Sequence, residues 1–290
     1  MRRRALLFSA VSVVGAPAGA AARLPVVASF SILADMAREV GGPGVAVRAL
    51  VPADSDPHVY EPRPSDLQAI RAAALVVTNG LGLEGWLARL LPASGTTAPV
   101  VVAAAGVAPR RLGAGVDPHA WQDPRNGVLY VHAIAEGLAG VAPGEAAAIR
   151  ARAADYVRRI TELDGWIAAQ VATVPPERRR ILTSHDAFGY FGARYGIAFI
   201  GVQGLDTAAE PSAAGLAALV RQIRALGITA VFVETMTSPR LARTVARDSG
   251  AVLGGEVYAD ALSPPGGPAD SYLSMFRHNV GLFVAAMRAG

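Results

Sequence analysis

Cysteine and lysine are both absent from the 290 residues of this chain. Without cysteine the chain can form no disulfide bond and no thiolate metal site, and it offers no thiol to which a lipid could be attached. We therefore expect a free protein with no lipid anchor. The missing lysine leaves arginine as the basic residue throughout, which we interpret as a bias of genome composition.

A long apolar run is also missing, although the N-terminus is apolar. Three arginines at positions 2–4 precede an apolar segment at 5–14 and a run of small residues at 16–22. This order predicts a secretory signal peptide over residues 1–22 that is cleaved from the mature chain. A membrane-spanning helix would need ~20 apolar residues. We expect a periplasmic protein.

Charge of one sign is not in excess in the mature chain. Loss of the three N-terminal arginines lowers the basic residues from 27 to 24, against 23 acidic residues. No basic block suited to nucleic acid is present, so we expect no nucleic-acid partner. The motifs G-x-S-x-G, H-E-x-x-H and the P-loop are also missing, which argues against the common hydrolase and nucleotide-binding classes.

Short apolar runs alternate with amphipathic segments in the first half of the chain. Strands are predicted at 26–30, 45–51, 75–78 and 100–104, and helices at 31–40, 65–74 and 84–91. This alternation is typical of a parallel sheet that is covered by helices.

A different pattern occupies residues 144–174. Apolar residues recur there at spacings of three and four, no proline interrupts them, and a Pro-Pro pair follows at 175–176. The pattern predicts one amphipathic helix roughly 45 Å long, at 1.5 Å per residue. We interpret it as a rigid strut between two lobes rather than as a coiled-coil partner.

The strand and helix alternation then resumes. Strands are predicted at 180–184, 197–202, 230–234 and 252–258, and helices at 211–226, 239–248 and 271–288. The predicted fold is therefore α/β, with two small lobes of parallel sheet joined by one long rigid helix. The predicted boundaries are 23–143 for the N-terminal lobe, 144–174 for the helix and 175–290 for the C-terminal lobe.

Histidine is scarce, and three of the five histidines fall in loops or just after predicted strands. His58 and His119 each end an Asp-Pro-His tripeptide, and His185 follows a strand. Proline fixes φ, so each tripeptide presents its histidine from a stiff turn, and the aspartate can orient the imidazole. Three such imidazoles supply most of a tetrahedral zinc site. His132 and His278 lie in helical patterns and are expected to be ordinary helix residues.

Longer motifs around these histidines resemble a known family. Asp-Pro-His-Val-Tyr-Glu-Pro at 56–62, Asp-Pro-His-Ala-Trp at 117–121 and Ser-His-Asp-Ala-Phe-Gly-Tyr-Phe at 184–191 are similar to three signatures of the cluster A-I metal-binding receptors of ABC importers. Glu-Pro-Ser at 210–212, Val-Phe-Val-Glu at 231–234 and Tyr-Ala-Asp-Ala-Leu at 258–262 resemble further blocks in the expected order. The resemblance covers nearly the whole mature chain.

The resemblance implies a metal site in the cleft between two lobes. Its ligands would be His58, His119, His185 and Asp260, with the first two in the N-terminal lobe. It also implies delivery of the ion to an ABC importer permease in the inner membrane, and a metal-loading helper protein is a further candidate partner. A monomer is the simplest expectation. Since the strut should restrict hinge closure of the lobes, we expect loops near His185 and Asp260 to open the site. Acid should release the ion, because the imidazoles protonate near their reference pKa of ~6.5.

The choice of metal is argued from the ligand types. Three imidazoles and one carboxylate favour Zn²⁺, whereas Mn²⁺ favours more oxygen. Members of the family with glutamate at the third ligand position tend to bind manganese, whereas His185 at that position resembles the zinc type. Against zinc, no histidine-rich loop precedes the second signature, since residues 107–116 contain no histidine. Zn²⁺ as the transported ligand is the prediction, with Mn²⁺ as the alternative.

Other functions remain as competing readings. A zinc hydrolase would hold a metal-bound water at an open fourth position, which Asp260 would close. We predict that the chain is not an enzyme and has no catalytic residue, and an additional adhesin role stays open. Three acidic residues are candidates for supporting the ligands or contacting the importer: Glu61, Asp123 and Glu234.

Overall fold

The structure of the protein, a computed structural model, describes residues 22–113, 115–202, 212–228, 230–235 and 239–289. The predicted signal peptide lies outside these residues except for its last position, and so do the first two residues of the Glu-Pro-Ser motif. Within the described ranges, no helix combines the length and the apolar character needed to cross a membrane.

Four parallel strands form the sheet of the N-terminal lobe, in the order β2-β1-β3-β4. The central strands are rich in valine and leucine and are buried on both faces, as parallel strands covered by helices must be. The elements of this lobe are β1 (Leu24–Phe30), α1 (Ser31–Gly41), β2 (Val45–Val51), α2 (Pro64–Ala72), β3 (Leu75–Thr78), α3 (Leu87–Ser94), β4 (Val100–Val102), the antiparallel pair β5 (Arg111–Leu112) and β6 (Gly115–Val116), and α4 (Pro124–Val141).

A second sheet of four parallel strands forms the C-terminal lobe, in the order β10-β9-β7-β8. Before it comes the long helix α5 (Ala146–Ala172). The elements of this lobe are β7 (Arg180–Thr183), α6 (Gly189–Tyr195), β8 (Ala198–Gly201), α7 (Ala213–Leu226), β9 (Ala230–Glu234), α8 (Pro239–Ser249), β10 (Val252–Val257) and α9 (Tyr272–Ala289). The two parallel sheets and the long helix confirm the predicted α/β fold class.

One hydrophobic cluster runs through both lobes and the long helix. Val26 and Trp121 contribute from the N-terminal lobe, Ile160 from α5, and Phe232 and Phe283 from the C-terminal lobe. The face that α5 buries in this cluster consists of Ile149, Ala153, Tyr156, Ile160, Leu163, Ile167 and Val171. Each fully buried side chain of this size contributes about 1.5–3 kcal/mol. The lobes are therefore held together by a shared core as well as by a covalent link.

Some elements differ from the sequence prediction. Helix α3 begins at Leu87 rather than at residue 84, because the Glu84 carboxylate instead accepts hydrogen bonds from the backbone N–H groups of Asn79 (2.6 Å) and Gly80 (3.2 Å). The β5–β6 pair, the 18-residue helix α4 and the short helix α6 were not predicted from the sequence. Two-residue strands carry too little periodicity to be recognised.

Several hydrogen bonds connect the two lobes beside the ends of the strands. The Ser31 hydroxyl accepts from the N–H of Leu262, and the Leu262 carbonyl accepts from the N–H of Asp54. One turn further along α1, the Asp35 carboxylate accepts from the N–H of Tyr272 at the start of α9 (2.8 Å) and lies 3.5 Å from the Tyr156 hydroxyl of α5. Asp35 thus joins the first helix, the long helix and the last helix.

The variant Asp35→Asn tests this junction through pH. Burial raises the pKa of Asp35 to about 6, despite the hydrogen bond from Tyr272. The folded state therefore disfavours the ionised carboxylate. This destabilisation of the fold is complete above pH 6 and decreases as the pH falls towards the pKa of the group in the unfolded chain. We expect Asp35→Asn to be more stable than the wild type by about 1–3 kcal/mol at pH 7.5, with a smaller advantage at pH 4.5. Urea denaturation at both pH values measures the difference, and a variant less stable than the wild type at pH 7.5 would contradict the expectation.

Candidate metal centre

Four side chains converge between the two lobes, and they are the four that the sequence analysis selected. One ligand atom from each of His58, His119, His185 and Asp260 lies within 4.8 Å of all the others. The Asp260 Oδ2 atom is 3.1 Å from the Nε2 atoms of His58 and His185 and 3.6 Å from that of His119. The Nε2 atom of His119 is 3.1 Å from that of His58 and 3.3 Å from that of His185.

The two Asp-Pro-His tripeptides fold into the same kind of turn. In the first, the Asp56 carboxylate accepts a hydrogen bond from the backbone N–H of His58 (2.8 Å). In the second, the Asp117 carboxylate accepts from the backbone N–H of His119 (3.0 Å). Aspartate commonly closes a turn two residues later in this way, while proline fixes the residue between. The stiff turns predicted from the tripeptides therefore exist in the structure.

His119 is held more closely than its neighbour in the N-terminal lobe. Its ring Nδ1 lies 2.8 Å from the Asp117 Oδ1 atom, so the same carboxylate orients both the backbone and the ring. The carbonyl of Pro118 accepts from the Asn79 side chain (3.0 Å), which follows β3, and Asn79 in turn accepts from the Tyr130 hydroxyl of α4. His119 and Asn79 are fully buried.

His185 is positioned by the sheet of the C-terminal lobe. It lies two residues after β7, and its backbone N–H donates to the Glu234 carboxylate at the end of the neighbouring strand β9 (3.1 Å). The ring Nδ1 forms an ion-pair contact with the same carboxylate. Both residues are fully buried. The carboxyl ends of adjacent parallel strands lie at one edge of the sheet, which brings the two side chains together.

Asp260 lies in the loop after β10, and the N-terminal lobe fixes that loop. The carbonyl of Ala259 accepts hydrogen bonds from the Trp121 ring (2.9 Å) and from the Gln122 amide (2.7 Å). Asn279 of α9 bonds both the N–H and the carbonyl of Tyr258. Within the described part of the chain, Asp260 Oδ1 is a buried atom with no hydrogen-bond partner. A buried carboxylate oxygen without a partner costs free energy unless a cation occupies the site.

Charges in the centre shift the pKa values of the buried groups. Burial opposes protonation of the His185 ring, but the Glu234 and Asp260 carboxylates outweigh it and hold the pKa of His185 well above its ordinary value. At His119 burial likewise lowers the pKa and the Asp260 carboxylate raises it, and the net result is a raised pKa. Burial disfavours the Asp260 carboxylate, yet His119 and His185 lower its pKa well below the usual range.

The three additional acidic candidates have different positions. Glu234 contacts His185 directly, as described above. Asp123 caps α4, where its carboxylate accepts from the N–H of Arg125, and Glu61 is exposed on the loop after His58. Neither of these two contacts a residue of the four in the interactions that the described residues show.

Sequence reasoning missed several residues that support the ligands. Asn79 and Glu84 lie in the segment Asn-Gly-Leu-Gly-Leu-Glu after β3, where an Asn-Gly pair marks a turn at the carboxyl edge of the sheet. That signal places a polar side chain near the ligands but names no partner. Arg110 carries no recognisable signal, and Tyr190 lies within the third signature, where nothing in the sequence names its partner.

Comparison with known proteins gives consistent matches over the chain. The profile of the family ZnuA, "Zinc-uptake complex component A periplasmic", matches residues 26–286. The manganese-binding lipoprotein MntA of Halalkalibacterium halodurans is 38% identical over 265 residues, which are 91% of this chain and 88% of MntA. The MntA lipoprotein of Bacillus subtilis is 31% identical, and the alignment covers 98% of each chain. The periplasmic zinc-binding protein TroA from Treponema pallidum superposes with a TM-score of 0.89 at 28% identity, over 92% of this chain and 99% of TroA.

These relatives contradict one prediction. The sequence analysis expected a periplasmic protein with no lipid anchor, whereas both MntA relatives are named lipoproteins. That expectation was wrong, because it rested on the absence of one residue type. A missing cysteine excludes attachment through a thiol and carries no information on other ways of holding a protein at a membrane.

The raised pKa of His185 gives a test on the metal-stripped protein. We expect its ring to lose its proton at a higher pH than an ordinary imidazole, whose pKa is ~6.5. The charged ring stabilises the metal-free fold at low pH, and this contribution is lost as the pH rises through the raised pKa. Ring ¹⁵N chemical shifts measure protonation, and His185→Gln assigns the signal.

Glu234→Gln serves as the matched variant in that experiment. It keeps the shape of the side chain and removes the charge that raises the pKa of His185 most. The His185 signal should then titrate at lower pH. A wild-type His185 ring that titrates no higher than an ordinary imidazole would contradict the electrostatic argument.

Proposed function

Because the chain belongs to the ZnuA family of periplasmic metal-uptake components, we propose that it captures Zn²⁺ with His58, His119, His185 and Asp260 and delivers the ion to a membrane permease. The chain is a substrate-binding protein of a metal ABC importer, and it is not an enzyme. The identity of the ion, its ligands and the details of delivery are the proposal.

The spacing of the four ligand atoms carries the proposal. Zinc bonds to nitrogen and oxygen are ~2.0–2.1 Å long, so the ligand atoms of an ideal tetrahedral site lie roughly 3.3 Å apart. Five of the separations measured here lie between 3.1 and 3.6 Å. An ion at the centre would bond all four residues with little movement of the chain.

The contacts behind the ligands favour the same assignment. Metal-binding histidines generally use one ring nitrogen for the metal and donate from the other to a carboxylate or carbonyl. Asp117 and Glu234 take this position at His119 and His185, which leaves both Nε2 atoms facing the centre. The Asp260 carboxylate, with one oxygen among the imidazoles, supplies negative charge for a divalent cation.

Manganese is the second candidate, and specific observations favour each ion. Three nitrogens and one carboxylate form a ligand set typical of zinc, and the TroA structure is described as zinc-binding. Both MntA relatives are described as manganese-binding. The imidazole of His185 in place of an oxygen ligand makes us favour zinc, because Mn²⁺ prefers oxygen donors.

The proposed delivery follows the two-lobed division. We assign residues 23–143 to one lobe, 144–174 to the linking segment and 175–290 to the other lobe, with the ion between the lobes. A monomer would present the loaded site to the permease in the inner membrane. A helper protein that loads the metal is a candidate partner.

Competition calorimetry tests the choice of ion. The mature, metal-stripped protein is titrated with Zn²⁺, with Mn²⁺, and with Zn²⁺ in the presence of excess Mn²⁺. We expect binding of one Zn²⁺ per chain that excess Mn²⁺ does not displace. Preferred manganese binding would overturn the zinc assignment but keep the receptor, and binding of neither ion would overturn the proposed ligand set.

The pH dependence of zinc binding follows from the protonation of the empty site. Since the pKa values of His119 and His185 are raised, protons compete with a metal ion up to a higher pH than at ordinary imidazoles, and zinc affinity, measured by calorimetry at several pH values, should fall as the pH falls. The site should therefore begin to empty at a higher pH than the sequence analysis expected from an ordinary imidazole.

The variant Asp260→Ala tests the ligand set. It removes the oxygen that lies nearest to all three imidazoles and should lower zinc affinity by more than about 100-fold, the upper range for residues that only support a ligand. His132→Ala is the matched control, because His132 is exposed on α4. Equal affinity of Asp260→Ala and the wild type would contradict the assignment.

A further inference from the structure

The Asp117 carboxylate, which orients His119, is itself held by a second residue. Its Oδ1 atom contacts the His119 ring, and its Oδ2 atom accepts a hydrogen bond from the Arg110 guanidinium (2.7 Å). Arg110 directly precedes β5 and Asp117 directly follows β6, so the two residues form the base of this hairpin. There the N–H of Asp117 donates to the carbonyl of Arg110. The orientation of the His119 ring therefore depends on the geometry of this hairpin base.

The hairpin base is held from the other lobe by one hydroxyl group. The Tyr190 hydroxyl, on α6, accepts from the backbone N–H of Arg110 (2.8 Å) and lies 3.1 Å from the carbonyl of Asp117, to which it donates. The Arg110 guanidinium also lies over the Tyr190 ring, 5.4 Å from its centre. Tyr190 is buried, and its hydroxyl both accepts a hydrogen bond from the hairpin base and donates one to it.

The residue before Tyr190 has to be a glycine for this contact to form. A Cβ atom at Gly189 would lie 1.8 Å from the Arg110 Nη1 atom and 2.7 Å from the Asp117 Oδ2 atom. The close approach of α6 to the Arg110–Asp117 pair therefore leaves no space for a side chain. An added methyl group would therefore displace the Arg110 guanidinium, which is the end of a flexible side chain, and would also press on the Asp117 carboxylate.

The two buried histidines are supported in different ways. The partner of His185, Glu234, belongs to the same lobe and to the adjacent strand. The partner of His119 is fixed by contacts that cross from one lobe to the other. We propose that Tyr190 is a positioning residue for metal binding, which fixes the His119 ring from the C-terminal lobe through the Arg110–Asp117 pair.

This inference rests on the proposed role of His119 as a ligand and adds a coupling between lobe contact and metal retention. When α6 is packed on the hairpin base, Asp117 holds the His119 Nε2 atom towards Asp260. Separation of α6 from the hairpin base takes the Tyr190 hydroxyl away from the backbone N–H of Arg110 and the carbonyl of Asp117, which leaves the Arg110–Asp117 pair without its support from the C-terminal lobe. The His119 ring then loses its fixed orientation, and the ion loses one ligand.

Zinc dissociation from the loaded full-length mature protein tests the coupling. Tyr190→Phe removes the hydroxyl, and Gly189→Ala displaces Arg110 by a different route. We expect each to release zinc to an excess of chelator about tenfold faster than the wild type, the lower end of the effect known for residues that support a metal ligand. Tyr195→Phe is the matched control, since Tyr195 is a buried tyrosine of the same helix whose hydroxyl donates to Asp164 of α5.

A spectroscopic measurement separates positioning from general loss of structure. In the Co²⁺-loaded protein, the Nδ1–H proton of each bound imidazole gives its own shifted NMR resonance, and His119→Gln identifies the one from His119. In Tyr190→Phe and Gly189→Ala, the His119 resonance should shift or exchange faster with solvent, while that of His185 should not change.

Each outcome decides the inference. Release rates within twofold of the wild type in both variants, with an unchanged His119 resonance, would overturn it. Faster release that Tyr195→Phe shows equally would also overturn it, because the effect would then be one of α6 stability. If the wild type binds neither Zn²⁺ nor Co²⁺, the proposed function itself fails, and this result is distinct from the other two.

Discussion

The contact of one buried carboxylate with three imidazoles is the constraint on which the rest of the structure depends. Asp260 comes from the C-terminal lobe, whereas His58 and His119 come from the N-terminal lobe. Charged groups of this kind are stable in a protein interior only when each is paired or bound to a cation. The centre therefore requires that two separate sheets be held in one fixed relation.

The structure meets this requirement by sharing its core between the lobes. The hydrophobic cluster continues from the first strand through α5 to the last helix, and Asp35 joins three helices by polar contacts. Hydrogen bonds from Trp121 and Gln122 hold the loop that carries Asp260. Tyr190 provides the reverse contact, from the C-terminal lobe to the hairpin beside His119. Each lobe thus helps to position a residue of the candidate metal centre that comes from the other lobe.

Only part of the site could be predicted from the sequence. The histidines were recognisable because they are few, lie in loops or beside strands, and twice follow Asp-Pro. Asp260 was selected only through the resemblance to a family, since nothing local distinguishes it from other loop aspartates. The roles of Asn79 and Tyr190 were missed because they depend on partners 39 to 80 residues away in the chain, and the role of Arg110 was missed because its contact with Asp117 depends on the β5–β6 hairpin between them.

The sequence by itself determined the order of most strands and of the long helix, but not α4, α6 or the β5–β6 pair. Apolar periodicity identified the strands and the long helix because burial on a sheet or along one helix face imposes a spacing that is visible locally. Proline and aspartate determined the turns that present His58 and His119, because these restraints act within three residues. Only the tertiary structure decided which polar side chains meet. The Glu234 contact with His185 and the Tyr190 contact with the hairpin base arise from the packing of strands and helices distant in sequence, and no local pattern records a contact of that kind.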